Sequence, residues 1–239
     1  MPIEASATRD FLSGFGKTLG APKAVLVISA HWDSDTARVS ANPEPETIHD
    51  FYGFPQELYR LNYPAPGSPA LASRIRDLLS AADIACQLDA ARGLDHGAWV
   101  PLLLMYPEAE IPIVQLSVQT HLGPAHHFKL GQALRALRDE GVLILGSGGV
   151  THNLSEFRRH RADAAPPFWV SDFQEWIAAT LEAGKADDVV NYRQLAPHAL
   201  QNHPSEEHFF PLIVAAGAGS DRTPARRVHR GNAFAILAM

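Results

Sequence analysis

The sequence predicts an α/β fold, a single domain in which helices flank a central mixed sheet. Residues 25–28, Val-Leu-Val-Ile, are apolar at every position, which is typical of a strand buried on both faces in the middle of a sheet. Residues 142–145, Val-Leu-Ile-Leu, repeat this design, and strand-like runs alternate with helical periods along the chain. The two runs lead to His31 and His152. Because ligands bind at the carboxyl ends of strands in open α/β sheets, we expect a site at this edge.

The composition fits one globular domain over residues 1–239 and argues against several classes of partner. Hydrophobic residues make up 46% of the chain and charged residues 19%, which is enough for a sizeable core. The formal net charge is -6 and no block of Lys and Arg exists, so we expect neither nucleic acid nor an anionic membrane as partner. No apolar run approaches the ~20 residues that span a bilayer, and the first residues do not resemble a signal peptide. The lone Cys86 fits a reducing compartment, so we expect the cytoplasm.

The other elements follow from the spacing of apolar residues. Helical spacing predicts helices at residues 7–19, 68–82, 99–105, 124–140, 168–182 and 206–216, the third of which follows a turn at 93–97. Strand patterns cover residues 38–41, 85–88 and 111–118, with a closing strand or strand pair at 228–239. Residues 42–66 carry several prolines and have no clean period. A loop of this length in a compact domain commonly covers a functional site.

Capping residues set the expected helix boundaries. Gly20 and Gly141 are predicted to end the first and fourth helices, and Ser68 is predicted to cap the second. Ser205 is predicted to be the N-cap of the helix over 206–216.

Histidine is the anomalous residue type, with 12 histidines against 20 Lys plus Arg. Histidine is the commonest metal ligand and a frequent general acid or base. Besides the strand-end His31 and His152, the chain carries His203 and His208, which we expect on a loop and in the first turn of a helix, facing inward. Neutral imidazoles with open coordination positions are what a mononuclear iron(II) or zinc site uses. The alternative is that each strand-end histidine bonds a loop carbonyl.

Other polar residues leave more than one interpretation open. Asp95 could fix the tautomer of His96, or His96 could be a simple helix-start residue. His49 lies in an aromatic-rich part of the long loop, and we expect it to face a substrate. Glu206 and Glu207 are predicted to be solvated residues of a capped helix. The remaining histidines are predicted to lie at the surface: His121, His126, His127, His160, His198 and His229.

Three competing motifs fit poorly. The glycine-rich turn at residues 146–149 lacks the Lys and the glycine spacing of a phosphate-binding loop. Ser147 resembles the nucleophile of a hydrolase, but Leu145 stands where the motif needs glycine. Cys86 lies inside a predicted strand, which argues against a nucleophilic role.

Five blocks in order along nearly the whole chain resemble the class III extradiol ring-cleavage dioxygenases of the DOPA-dioxygenase type. The blocks are Ile-Ser-Ala-His-Trp at 28–32, Thr-Ile-His-Asp-Phe-Tyr-Gly-Phe-Pro at 47–55, Gly-Leu-Asp-His-Gly-Ala-Trp at 93–99, Gly-Ser-Gly-Gly-Val-Thr-His-Asn-Leu at 146–154 and Glu-His-Phe-Phe-Pro-Leu at 207–212.

The resemblance implies an α/β fold, one mononuclear Zn²⁺ or Fe²⁺ site, and opening of a catechol-type aromatic diol with O₂. Carried over by position, His31, His152 and His208 are the expected metal ligands. The expected catalytic residues are His96, as acid and base, and His152. His49 and His203 are expected to bind the substrate. The alternative is a metal-binding relative on the same scaffold without dioxygenase activity, either hydrolase-like or an interaction protein.

The chain departs from the family pattern at its start. Members of the family begin with a strand that ends in a further ligand histidine, whereas this chain begins at Met1. We therefore expect that an N-terminal strand is lacking and that a gap lies beside the strand at 25–28. An unpaired edge of this kind favours a homodimer.

Overall fold

A computed structural model describes residues 6–161, 164–219 and 224–238, and its centre is a mixed sheet of five strands. Their spatial order is β3-β2-β4-β1-β5. The strands are β1 (Ala24–Asp33), β2 (Ala37–Ser40), β3 (Cys86–Asp89), β4 (Ile113–Val118) and β5 (Val142–Ser147). A separate hairpin near the end of the chain consists of β6 (Asn232–Ala233) and β7 (Leu237–Ala238). The predicted α/β class with a mixed sheet is confirmed.

Helices cover the sheet, and those of the described residues have the following bounds. They are α1 (Ala7–Leu19), α2 (Pro69–Ala81), α3 (His96–Met105), α4 (Gly123–Leu134), α5 (Ala136–Asp139), α6 (Phe168–Glu182), α7 (Ala186–Val190), α8 (Tyr192–Leu195), α9 (Ala199–Asn202) and α10 (Phe210–Ala218). Short 3₁₀ helices occupy Leu58–Arg60, Thr120–Leu122 and Leu154–Arg159. The helix predicted at 124–140 is divided in two at Arg135. In the part of the chain that is described, none of the helices has the length and apolar character needed to cross a membrane.

The sheet brings the carboxyl ends of β1 and β5 together. β1 runs parallel to β4 on one side and to β5 on the other, with Ile28 opposite Gly146 and Ser29 opposite Ser147. β2 is antiparallel to β4 and parallel to β3. The predicted strand ends therefore share one edge, and the residues that follow them are neighbours.

Apolar side chains of β1 alternate between two cores, one on each face of the sheet. Leu26 and Ile28 pack into the larger cluster together with residues of α2, α4 and α10. Val25 and Val27 pack on the other face, against α3 and the long loop. All four side chains have no exposed surface, which explains why the strand is apolar at every position.

The expected gap beside β1 is absent, because β1 has a neighbour on both sides. Among the described residues, the sheet ends at β3 on one side and at β5 on the other, so β5 is an edge strand. Its residues Leu143, Ile144 and Leu145 are only half-buried, so this strand is not the fully buried one that its composition indicates. A run of apolar residues does not distinguish a central strand from an edge strand. That the chain lacks an N-terminal strand stays a prediction.

The helix predicted from residue 206 begins later, at Phe210. Ser205 does not cap it: the Ser205 hydroxyl donates to Glu207 Oε1 at 2.9 Å, and the N-cap position is taken by Phe209. The better signal is Pro211, which lies in the first turn, where a missing N–H has no cost. His208 consequently lies in a turn before the helix.

Candidate active site

Four histidine rings meet at the carboxyl ends of β1 and β5. The ring of His31 lies 3.9 Å from that of His96 and 5.0 Å from that of His208, measured between centroids. The rings of His152 and His208 are stacked at 3.4 Å. The expectation that His31, His152 and His208 converge is confirmed. Their roles at the site stay predictions.

An irregularity in β1 places His31. Ile28 is opposite Leu116 and Asp33 is opposite Val118, so β1 advances five residues while β4 advances two. Such a bulge bends a strand and redirects its side chains, and bulges are common next to active sites. Here it leaves part of His31 accessible to solvent, whereas its neighbours Ala30 and Trp32 are buried.

A buried polar network below His31 ties β1 to the start of α3. Asp95 is fully buried and is the N-cap of α3, accepting from the backbone N–H of Ala98 at 3.2 Å. The Ser29 hydroxyl donates to Asp95 Oδ1 at 2.7 Å and accepts from the backbone N–H of His31 at 3.2 Å. The network therefore holds the backbone of His31 and the first turn of α3.

The charge of Asp95 is balanced within this network. Arg92 Nη2 donates to Asp95 Oδ2 at 2.9 Å, and Gln115 Nε2 donates to the same oxygen at 2.7 Å. The Arg92 guanidinium also lies over the ring of Trp32, 4.9 Å from its centroid. A fully buried carboxylate is tolerated only with such compensation.

Close approach of α3 to β1 requires glycine at position 97. A Cβ atom there would come 2.5 Å from the Ser29 hydroxyl oxygen and 3.0 Å from the His31 ring. On the other side, the Ser147 hydroxyl donates to the carbonyl of Gly97 at 2.5 Å. Both sheet strands that carry site residues therefore contact the first turn of α3.

The carboxylate that contacts the ring of His96 is Asp50. The prediction that Asp95 could fix this ring is wrong, since both oxygens of Asp95 are used by the network below His31. Asp50 Oδ1 accepts from His96 Nδ1 at 2.8 Å and from the backbone N–H of His96 at 2.9 Å. Partial burial raises the pKa of Asp50, but the hydrogen bonds from His96 outweigh it and lower this pKa to about 2. Asp50 follows His49, which was predicted to face a substrate. No spacing in the sequence indicates that the partner of Asp50 is His96.

The glycine-rich turn after β5 serves close packing. A Cβ at Gly148 would collide with the backbone carbonyl of His208, and one at Gly146 with the carbonyl of Pro211. The backbone N–H of Gly149 donates to the His208 carbonyl at 3.0 Å. The turn thus holds His208 beside His152, which agrees with the poor fit to a phosphate-binding loop.

The imidazoles of His31, His152 and His208 are held in their neutral form. Burial, followed by the neighbouring charges of His152 and His31, lowers the pKa of His208 to about 2. Burial lowers the pKa of His152, and burial together with His96 lowers that of His31. Metal binding requires unprotonated imidazole nitrogens, so these rings need not lose a proton when a cation binds.

The donor set fits a divalent transition metal. Two groups of candidate ligand atoms, each within 4.8 Å of one another, are His31, Asp50 and His96, and His152, Glu207 and His208. Imidazole nitrogens with a carboxylate oxygen suit zinc and iron(II). Part of this set was missed by sequence reasoning. Glu207 is half-buried beside two histidines rather than solvated.

Glu206 is not solvated either. Its Oε1 accepts from the Tyr192 hydroxyl at 2.7 Å and from Arg193 Nε at 3.1 Å. It anchors the turn that carries His208 to α8, a contact that no local pattern indicates.

Three other histidines form hydrogen bonds to backbone groups of the protein. His203 has no exposed surface, and its Nε2 bonds the carbonyl of Val150 at 2.7 Å, so its predicted contact with a substrate stays a prediction. His49 Nε2 bonds the carbonyl of Leu61 at 2.9 Å, within the long loop. The prediction that His127 lies at the surface is wrong, since it is 1% exposed.

Comparisons with known proteins identify the family of the chain. A family model described as the catalytic LigB subunit of aromatic ring-opening dioxygenase matches residues 11–235. A protein of Beta vulgaris named 4,5-DOPA dioxygenase extradiol is 51% identical over 209 residues, 87% of this chain and 77% of that protein. An Escherichia coli protein of the same name is 44% identical over 212 residues, with 87% and 77% covered. The crystal structure of an uncharacterized Escherichia coli protein superposes with a TM-score of 0.83 at 35% identity, covering 99% of this chain and 92% of that one. The chain therefore belongs to the family of the catalytic LigB subunit and is an aromatic ring-opening dioxygenase.

Proposed function

We propose that the protein opens the ring of a catechol-type, DOPA-like diol in the extradiol position, next to the two hydroxyl groups. The observation that carries this proposal is the convergence of four histidines at the carboxyl ends of β1 and β5, with ring centroids 3.4–5.0 Å apart along the chain of contacts. The names of the relatives from Beta vulgaris and Escherichia coli support a DOPA-like substrate.

His31, His152 and His208 would hold a single Fe²⁺ or Zn²⁺ ion. Their neutral state and their mutual contacts support this assignment. Bound iron(II) would supply the electron transfer that lets O₂ react with the diol, whereas zinc has no redox chemistry. We therefore propose iron(II) for the active protein.

His96 would move the proton. It takes one from a catechol hydroxyl and returns it later, so that the net reaction adds both atoms of O₂ and breaks one ring carbon–carbon bond to give a semialdehyde acid. Phe51 packs edge-on against His96, with ring centroids 5.6 Å apart, and is 93% buried, so it excludes water from one side of the imidazole. The ring of His49 packs edge-on against that of Phe51, with centroids 5.8 Å apart, and His49 would line the substrate side of the loop.

Two further proposals concern the whole protein. The lone Cys86 leaves the chain without a second cysteine for an internal disulfide, which supports a reducing compartment such as the cytoplasm. The half-exposed apolar edge of β5 supports a homodimer, while the acidic net charge supports neither nucleic acid nor membrane partners.

The test combines metal analysis with oxygen uptake. Protein purified without oxygen is expected to contain about one equivalent of metal and to consume one O₂ per catechol opened. A panel of catechols with and without an amino-acid side chain would reveal the DOPA preference. Tight metal binding without oxygen uptake on any member of the panel would favour the alternative, a relative without dioxygenase activity.

A further inference from the structure

Asp50 and His96 are far apart in the sequence, and one oxygen of Asp50 accepts two hydrogen bonds from His96. Asp50 Oδ1 accepts from the ring Nδ1 at 2.8 Å and from the backbone N–H at 2.9 Å of the same histidine, 46 residues along the chain. Side chains of both residues are about three-quarters buried, with 27% and 26% exposed. The two bonds fix both the position of the carboxylate and the rotation of the ring.

The segment that carries Asp50 is tied to α3 on both sides. Before it, the backbone N–H of Ile48 donates to the carbonyl of Leu94 at 2.7 Å, and Trp99 Nε1 donates to the carbonyl of Ile48 at 2.9 Å. After it, Phe51 is buried against the ring of His96. The carboxylate therefore sits on a rigid part of the long loop, as a positioning group requires.

An ionised carboxylate only accepts hydrogen bonds, so its partner nitrogen must carry the proton. In the neutral form of His96 the proton is therefore on Nδ1, and the lone pair is on Nε2. A base that is to take a proton from a catechol needs such a lone pair.

We infer that Asp50 is a positioning residue that holds His96 as the Nδ1–H tautomer, leaving Nε2 as the atom that exchanges a proton with the substrate. The inference about Nε2 rests on the proposed function. The tautomer itself does not, and it can be measured in the absence of substrate.

The experiment measures the tautomer by long-range ¹H–¹⁵N correlation spectra of protein with ¹⁵N-labelled histidine, with Zn²⁺ added because it is diamagnetic. His96→Gln identifies the signals of residue 96. The chain supplies two references. His127 donates from Nδ1 to the Gly123 carbonyl at 2.7 Å and accepts at Nε2 from Gln119, while His203 bonds a carbonyl through Nε2. Their signals also report whether each variant is folded.

Two substitutions separate the acceptor from the charge. Asp50→Ala removes the acceptor, so His96 is expected to become a mixture of tautomers and kcat to fall about 10- to 100-fold with little change in KM. Asp50→Asn keeps an oxygen acceptor, because the backbone N–H of His96 continues to hold Oδ1 toward the ring. It is expected to keep the Nδ1–H tautomer and to recover most of the activity lost in Asp50→Ala. Glu57→Ala, which removes an exposed carboxylate of the same loop, is the matched control and is expected to change neither.

An unchanged Nδ1–H tautomer in folded Asp50→Ala would overturn the inference, as would an Nε2–H tautomer in the unsubstituted protein. If the tautomer shifts as expected but kcat does not fall, the positioning by Asp50 stands and the proton-transfer role proposed for His96 is wrong.

Discussion

His96 and His127 differ, at the residue scale, in what their hydrogen bonds leave free. Both nitrogens of His127 are bonded inside the protein, one to the Gly123 carbonyl and one to the N–H of Gln119. In His96, Nδ1 is bonded to Asp50, and Nε2 makes no hydrogen bond to the described residues. An imidazole with one free nitrogen can act on a substrate, whereas one with none can only support the fold.

His96→Ala is expected to lower kcat far more than metal content. General acid and base groups contribute about 10²–10⁴-fold to rate, and His96 is assigned to proton transfer rather than to metal binding. Steady-state kinetics and metal analysis of the same preparation check this, with the exposed His121→Ala as control. A parallel loss of metal and activity would identify His96 as a ligand.

His127 makes folding stability depend on pH. Burial lowers its pKa to about 4, below the 6.5 of an exposed histidine. The unfolded chain therefore takes up the proton first, so stability is complete above pH 6.5 and is lost as the pH falls toward 4. At 1.36 kcal/mol per pKa unit, the loss from this group is about 3 kcal/mol.

Denaturant unfolding between pH 4 and 7 measures this effect. His127→Gln is expected to be less stable at pH 7 but to lose less stability on acidification, since it cannot take up the proton. Parallel curves for the two proteins would show that His127 is not the group responsible.

At the element scale, the site depends on irregular segments between regular ones. The bulge in β1 exposes His31, and the turn after β5 brings His152 beside His208. Both segments are held by contacts distant along the chain, from α3 and from the turn before α10.

Gly148→Ala is expected to weaken metal binding and lower stability. The added Cβ collides with the backbone carbonyl of His208, which cannot move without moving the imidazole. Overpacking of this kind costs about 1–3 kcal/mol. The readouts are the melting temperature and the metal affinity.

Gly14→Ala provides the control. It lies within α1 and its Cβ would meet nothing within 4 Å, so the change is expected to stabilise the helix by up to about 1 kcal/mol. Metal affinity of Gly148→Ala equal to that of Gly14→Ala would contradict the assigned role of the turn.

At the scale of the whole molecule, the two edges of the sheet differ in character. The β3 edge carries exposed Leu88, but beside it lie exposed Gln87 and an ion pair between Arg38 and Asp89 at 3.4 Å. The β5 edge presents half-exposed Leu143 and Leu145. Charged edges resist pairing with another strand, whereas apolar ones favour it.

The protein is therefore expected to sediment as a homodimer joined at β5, and Leu143→Lys is expected to shift it to monomer at micromolar concentration. Leu88→Lys makes the same change on the opposite edge strand, where Leu88 is 37% exposed, and is expected to leave the dimer intact. Analytical ultracentrifugation distinguishes them, with the melting temperature as a check on folding. A monomeric unsubstituted protein would contradict the proposed dimer.

The sequence by itself determined the fold class, the parallel placement of the strands at 25–28 and 142–145, and the shared edge at which His31 and His152 follow them. These depend on local patterns and on the rule that parallel strands end at one edge of a sheet. Resemblance to a family added His208 to this pair, which the structure places beside both rings, and it added the activity, which the comparisons confirm.

Only the tertiary structure decided that Asp50 and not Asp95 holds the ring of His96. It also decided that β1 lies between two strands while β5 is at an edge of the sheet, and that His127 is buried. Asp95 is adjacent to His96 in sequence, but its side chain caps α3 and turns into the network of Ser29 and Gln115. Which carboxylate reaches a ring depends on contacts between segments far apart in the chain, and such contacts leave no periodicity in the sequence. A pattern of apolar residues reports that a strand is covered, but its neighbours are set by how the whole chain packs.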